Sequence, residues 1–196
     1  MDDYKKIFNH IEMEVIDLSY SISFKKGQEC VYSPRIANLI IRLGSLLESI
    51  IKEQCGETDI KYDADDVINY LGIANKTVIV SNPEYKFSQK KFTPFQKNQE
   101  KLNKKNTNKH AVGQTQYSWN NAYQSLKHQF LQMMPEYGNL RYLFEILSVL
   151  AVLLTESSVI FSNVKENEDG NYIGWSYSAS GGVSIRKSYN KNEEIN

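Results

Sequence analysis

The chain has 196 residues, 41% of them hydrophobic and 23% charged, and 13 Tyr supply most of its aromatic share. That length supports a core without disulfides, and the composition excludes disordered, fibrous and membrane-embedded classes. Lys+Arg and Asp+Glu are 23 each, so the formal net charge is zero. The charge is unevenly spread, however: residues 1–75 carry −5, residues 76–110 carry +7 from nine Lys against Glu84 and Glu100, and residues 111–196 carry −2. A basic segment is thus set in an acidic frame.

Met1 to Lys6 leads into a mixed polar segment rather than the apolar run of a signal peptide, so export is not expected. The most apolar stretch, Ile146 to Leu154, is nine residues long, against the roughly 20 that a membrane span needs. Cys30 and Cys55 have no CxxC spacing, which argues against a disulfide scaffold or a zinc site. A cytoplasmic chain with no membrane association, metal or cofactor is the expectation.

Taken in order, Ile7, Phe8, Ile11 and Val15 predict a short amphipathic helix beginning near Asp3. Leu18, Tyr20, Ile22 and Phe24 alternate with Asp17, Ser19, Ser21 and Ser23, which predicts a strand closed by Lys25-Lys26-Gly27. Ser33-Pro34 is a hydroxyl N-cap followed by proline at the first helical position. The stripe Ile36, Leu39, Ile40, Leu43, Leu46, Leu47, Ile50 and Ile51 follows, with Gly56 at the C-terminal cap position. A shorter helix is expected over Ala64–Leu71, capped by Asp63 and stopped by Gly72, then a strand over Thr77–Val80.

After the Lys-rich segment, Trp119, Ala122, Tyr123, Leu126, Phe130 and Met133 predict one helix ended by Pro135. Its opposite side carries Asn121, Gln124 and His128. A central, nearly all-apolar helix is expected from after Gly138-Asn139 to about Ile160, and then a hairpin with Ile173, Trp175 and Tyr177 on one arm, Gly181-Gly182 at the turn and Val183 and Ile185 on the other. The expected architecture is mainly α: a helical bundle with small β additions, namely an N-terminal strand, a short middle strand and a C-terminal hairpin. One domain spans residues 1–189, with a Lys-rich loop at 86–110, and residues 190–196 form a disordered tail.

Phosphate-loop, dinucleotide, zinc-protease and nucleophile-elbow motifs are all missing. Of the three histidines, His10, His110 and His128, the last is the candidate acid or base, with Lys127 beside it as a possible cation. The plain alternative is a surface histidine. In the basic segment Lys90, Lys91, Lys101, Lys104 and Lys105 are candidate nucleic-acid contacts, because Phe87, Phe92 and Phe95 interleave with lysines as in single-strand binding. A solvated loop has the same composition, and the absence of Arg removes the bidentate phosphate fork. Asn121 and Gln124 are candidate interface residues of a homodimer in which two copies of His128 meet across a two-fold axis.

Tyr32-Ser33-Pro34-Arg35, leading into Leu39-Ile40-Ile41-Arg42-Leu43-Gly44-Ser45 and Glu48, resembles proteins of the HEPN superfamily. So does Trp119-Asn120-Asn121-Ala122-Tyr123-Gln124-Ser125-Leu126-Lys127-His128 with the apolar helix after it. The likeness covers residues 32–56 and 117–160. It implies a HEPN-like helical bundle that dimerises and binds or cleaves RNA without metal, as in bacterial toxin–antitoxin and other defence systems. It equally implies a non-catalytic module acting through a protein partner. The family's active motif places arginine four to six residues ahead of the histidine. The corresponding positions before His128 are Tyr123, Ala122 and Asn121, so only His128 carries over, and an endoribonuclease activity lacks its arginine.

Overall fold

The computed structural model describes residues 1–81, 85–87, 89–97, 117–154, 158–166, 172–177 and 184–189, with side chains to residue 162. Helix α1 spans Asp2–Ser19 and buries Phe8, Ile11, Val15 and Leu18. Helix α2, Pro34–Cys55, begins and ends as its sequence dictates. Ser33 Oγ accepts from the Ile36 amide at 3.2 Å, and Gly56 takes a left-handed φ of 69° that a side chain would oppose. Its apolar stripe is buried along its whole length.

Helix α3, Asp65–Tyr70, is short and is followed by β1, Val78–Val80, and β2, Lys91–Phe92. Helices α4, Ser118–His128, α5, Phe130–Tyr137, and α6, Leu140–Leu154, complete the helical part. Among the described residues α6 is the central element: it packs on α2, α4, β1 and β3 (Phe161–Glu166), and α1 covers α2 from outside. Asn139 opens α6 by accepting from the Tyr142 amide through Oδ1 while its Nδ2 donates to the Glu136 carbonyl.

With β4, Tyr172–Tyr177, and β5, Ser184–Tyr189, the strands form one antiparallel sheet in the order β2-β1-β3-β4-β5. Strand β3 is staggered across it. Its first half pairs with β1 (Val80 with Phe161, Val78 with Asn163) and its second half with β4 (Val164 with Gly174, Glu166 with Tyr172). Hydrophobic residues from α1 through β3 make one contiguous core.

The mainly helical class, the middle strand and the C-terminal hairpin agree with the sequence. The expected N-terminal strand does not form, because α1 continues to Ser19. Leu18 satisfies both periods: it alternates with its polar neighbours, and it also lies three residues beyond Val15 and seven beyond Ile11, on the buried face. The N-cap position of α3 falls on Ala64, one residue past the expected Asp63, whose carboxylate accepts from Asn120 Nδ2 at 3.0 Å. The helix expected to end at Pro135 divides at Gln129, whose φ of −140° and ψ of 55° leave the helical region, and Pro135 lies inside α5. Helix α6 is described to Leu154, and from Ser158 on the chain is no longer helical, short of the expected Ile160. The 190–196 tail, the hairpin turn Gly181-Gly182 with Val183, and Lys101, Lys104, Lys105 and His110 lie outside the described residues.

Candidate functional site on the polar face of helix α4

Helix α4 is held on three sides. Trp119 Nε1 donates to the Pro94 carbonyl at 2.9 Å, Ser118 Oγ donates to Glu145 of α6, and the Tyr123 ring lies against α2 at Gly44. No Cβ fits at Gly44 without entering that ring, so glycine is what allows the two helices to approach this closely. The approach fixes the remaining side of α4, which is polar.

Along that side the side chains form two linked groups. In the first, the Tyr62 hydroxyl donates to Asn120 Oδ1 at 2.7 Å and accepts from Gln124 Nε2 at 2.6 Å, while Asn120 Nδ2 donates to Asp63. Two amides one helical turn apart thus clasp one phenol, and each buried polar atom in this group has a partner. Burial pushes the Tyr62 hydroxyl far above the usual tyrosine range, with the Gln124 bond opposing and Glu48 adding to the rise. Tyr62 is therefore a neutral hydrogen-bonding strut at any physiological pH.

In the second group Lys127 Nζ donates to Glu48 Oε1 of α2 at 3.4 Å and lies 5.1 Å from the centre of the Tyr123 ring. The Tyr123 hydroxyl, more than Glu48, raises Lys127 above the ordinary lysine value against the effect of burial. The Lys127 side chain is 42% exposed and that of Glu48 20%, so the pair is open to solvent from one side. His128 follows as the last residue of α4, exposed, in the turn where the helix dipole favours positive charge.

These positions sort the residues named from the sequence. Lys127 and His128 are adjacent and exposed. Gln124 is half-buried and committed to Tyr62. Asn121 is fully buried, which removes it as an interface residue; the helical turn places Asn120, one residue earlier, in line with Gln124 and His128. Lys90 and Lys91 are half-buried at the β2 edge of the sheet, each already engaged in an interaction of its own. Phe87, Phe92 and Phe95 are 4–5% exposed and pack against Phe144, Phe161 and Trp119, so their rings belong to the core and are not a stacking platform for bases. His10 is exposed and lies 3.4 Å from Glu14.

The arrangement sets an ammonium, Lys127, next in sequence to an exposed imidazole, His128, at the end of α4. Arg35 and Arg42 do not supply the missing motif arginine. Arg42 forms a two-pronged pair with Glu14 at 2.7 and 2.8 Å, and Arg35 points to the Glu14 carbonyl. Among the described residues no group of three or more His, Cys, Asp or Glu is placed to hold a metal ion, and no helix is long and apolar enough to cross a membrane. Sequence reasoning missed Tyr62 and Asp63, which lie some 60 positions from their α4 partners. Comparison with known protein families, with curated proteins and with solved structures finds no match to this chain.

Proposed function

We propose that this chain is a HEPN-like RNA-binding protein that contacts the sugar-phosphate backbone through the end of α4. The observation that carries the reading is the exposed Lys127–His128 pair on a helix whose other sides are fixed by Trp119, Ser118, Tyr123 and the Tyr62 clasp. An exposed lysine followed by an imidazole with a ring N–H to donate, on a helix held in place by its neighbours, suits a phosphate, and the lysine-rich segment 76–110 adds long-range attraction. The reading is of binding without cleavage: cutting at a 2′-hydroxyl needs a proton acceptor and a cation clamped on the developing charge, and the positions four to six before His128 hold Tyr123, Ala122 and Asn121 in place of the motif arginine. The test is end-labelled single-stranded RNA mixed with the protein in EDTA at low salt. A shifted and intact RNA supports the reading, cleaved RNA overturns the non-cleaving part, and unshifted RNA overturns the whole.

A second reading, a helical interaction protein acting through dimerisation or a protein partner, is favoured by α5. None of its eight residues is buried, and Leu131 is 80% exposed. Here the solution mass decides: a dimer dispersed by Leu131→Asp supports it, and a monomer at high concentration removes self-association.

A further inference from the structure

A face that holds phosphate gains nothing from a negative charge, yet Glu48 puts one there. Its Oε1 accepts from Lys127 Nζ at 3.4 Å, and its charge also acts on the Tyr62 hydroxyl, so it stands between the two polar groups of the α4 face. Ser45, nearly one turn earlier on α2 and exposed, meets the Tyr123 hydroxyl at 3.5 Å. Helix α2 therefore presents a hydroxyl and a carboxylate beside the ammonium of α4.

A carboxylate this close repels the phosphate that Lys127 attracts. As a tie between helices it returns little, because an ion pair open to solvent adds little stability, and α4 is already held by Trp119, Ser118 and Tyr123. What a carboxylate does supply is acceptor capacity. Its two oxygens offer about four lone-pair sites, and Lys127 engages Oε1 alone. On a nucleic-acid backbone the phosphate, bridging and ring oxygens only accept, whereas the ribose 2′-hydroxyl beside each internal phosphate donates, and it is the group that tells RNA from DNA. Carboxylate on ribose 2′-hydroxyl is also the pairing by which dinucleotide sites hold the sugar.

We propose that Glu48 is the residue by which this face selects RNA over DNA, accepting a hydrogen bond from the 2′-hydroxyl of the nucleotide whose phosphate Lys127 holds. The role rests on the RNA contact proposed for the α4 end. With RNA, a charge-assisted hydrogen bond offsets the repulsion between carboxylate and phosphate. With DNA the donor is missing and only the repulsion is left, so the same side chain favours one sugar and penalises the other.

The test is fluorescence anisotropy at low salt with end-labelled single strands of one sequence free of uracil and thymine, made as RNA, DNA and 2′-O-methyl RNA. The full-length wild type, Glu48→Ala, Glu48→Gln and Lys127→Ala are compared. Wild type is expected to bind RNA about tenfold more tightly than DNA or 2′-O-methyl RNA, the effect of one hydrogen bond to a charged group. Glu48→Ala should bind DNA more tightly than wild type does and bring the ratio of RNA to DNA affinity to about one. Glu48→Gln, which keeps an acceptor without the charge, should fall between the two. Wild type that binds RNA and DNA equally, or 2′-O-methyl RNA as tightly as RNA, overturns the proposal. So does a Glu48→Ala protein whose affinities for all three strands change together with the ratio kept, which is what a purely structural Glu48 gives. RNA binding that depends on Lys127 but shows no sugar preference removes only the role of Glu48. No RNA binding, or binding indifferent to Lys127→Ala, overturns the reading of the α4 face and this proposal with it.

Discussion

Replacing Gly44 by alanine tests the helix contact on which the α4 face depends. An added Cβ falls inside the Tyr123 ring, against Cγ, Cδ2 and Cε2. These atoms are at the root and one edge of the ring, and Tyr123 is fully buried, so the ring has no room to swing aside. The helices must separate instead. Overpacking of this kind costs about 1–3 kcal/mol, and with a rigid ring the upper end applies. Alanine in a helix interior returns up to about 1 kcal/mol relative to glycine. A net loss of about 2 kcal/mol follows, or roughly 4–8 °C in Tm for a chain of this length. Urea unfolding of the wild type, Gly44→Ala, Tyr123→Ala and the double variant measures it. With the ring gone, Gly44→Ala should become neutral or stabilising, so the cycle should show strong coupling. A Gly44→Ala protein as stable as wild type, or additive effects, would refute the close-approach argument.

Further predictions concern the frame around the site. Glu12 of α1 is fully buried, accepting from Ser158 Oγ and the amides of Val159 and Ile160, and burial raises its carboxyl from the ordinary 4.5 to about 7 against those bonds. The folded state thus holds the proton more tightly. Its contribution is complete below about pH 4.5 and is lost as pH rises through about 7. Denaturation at pH 5 to 8 should show wild type losing roughly 3 kcal/mol relative to Glu12→Gln over that window, and parallel curves would contradict this. Ser33→Ala should cost about 1 kcal/mol through loss of the α2 cap, read as a lower urea midpoint at unchanged slope. Arg42→Lys, which loses the fork on the partly exposed Glu14, should cost less than about 1 kcal/mol in the same assay.

The elements legible in the sequence are those whose signals are local. Ser33, Pro34, Gly56 and an unbroken stripe specify α2 completely, because capping and amphipathicity act within one helix. The break at Gln129 was hidden because Phe130 and Met133 continue the stripe of α4, so the periodicity carries through a change of direction. Strand β3 was hidden because Phe161 and Val164 do not alternate; the strand is defined by the partners on either side of it. At the site, the polar face of α4 was legible, but a helical wheel alone misplaced Asn121. Its surroundings, Tyr62, Asp63 and Glu48, come from tertiary packing. Phe87, Phe92 and Phe95 show the opposite error: aromatic residues among lysines suggest a binding surface, yet the rings are taken into the core, where Phe144, Phe161 and Trp119 pack on them.

The central claim is that the Lys127–His128 end of α4 touches RNA phosphates. Its most direct test is the salt dependence of single-stranded RNA binding by wild type and by Lys127→Ala. Log affinity should fall linearly with log salt in the wild type, and the variant should bind more weakly with a slope smaller by about 0.7, the loss of one phosphate contact on a single strand. Equal affinities and equal slopes would contradict the assignment of this face.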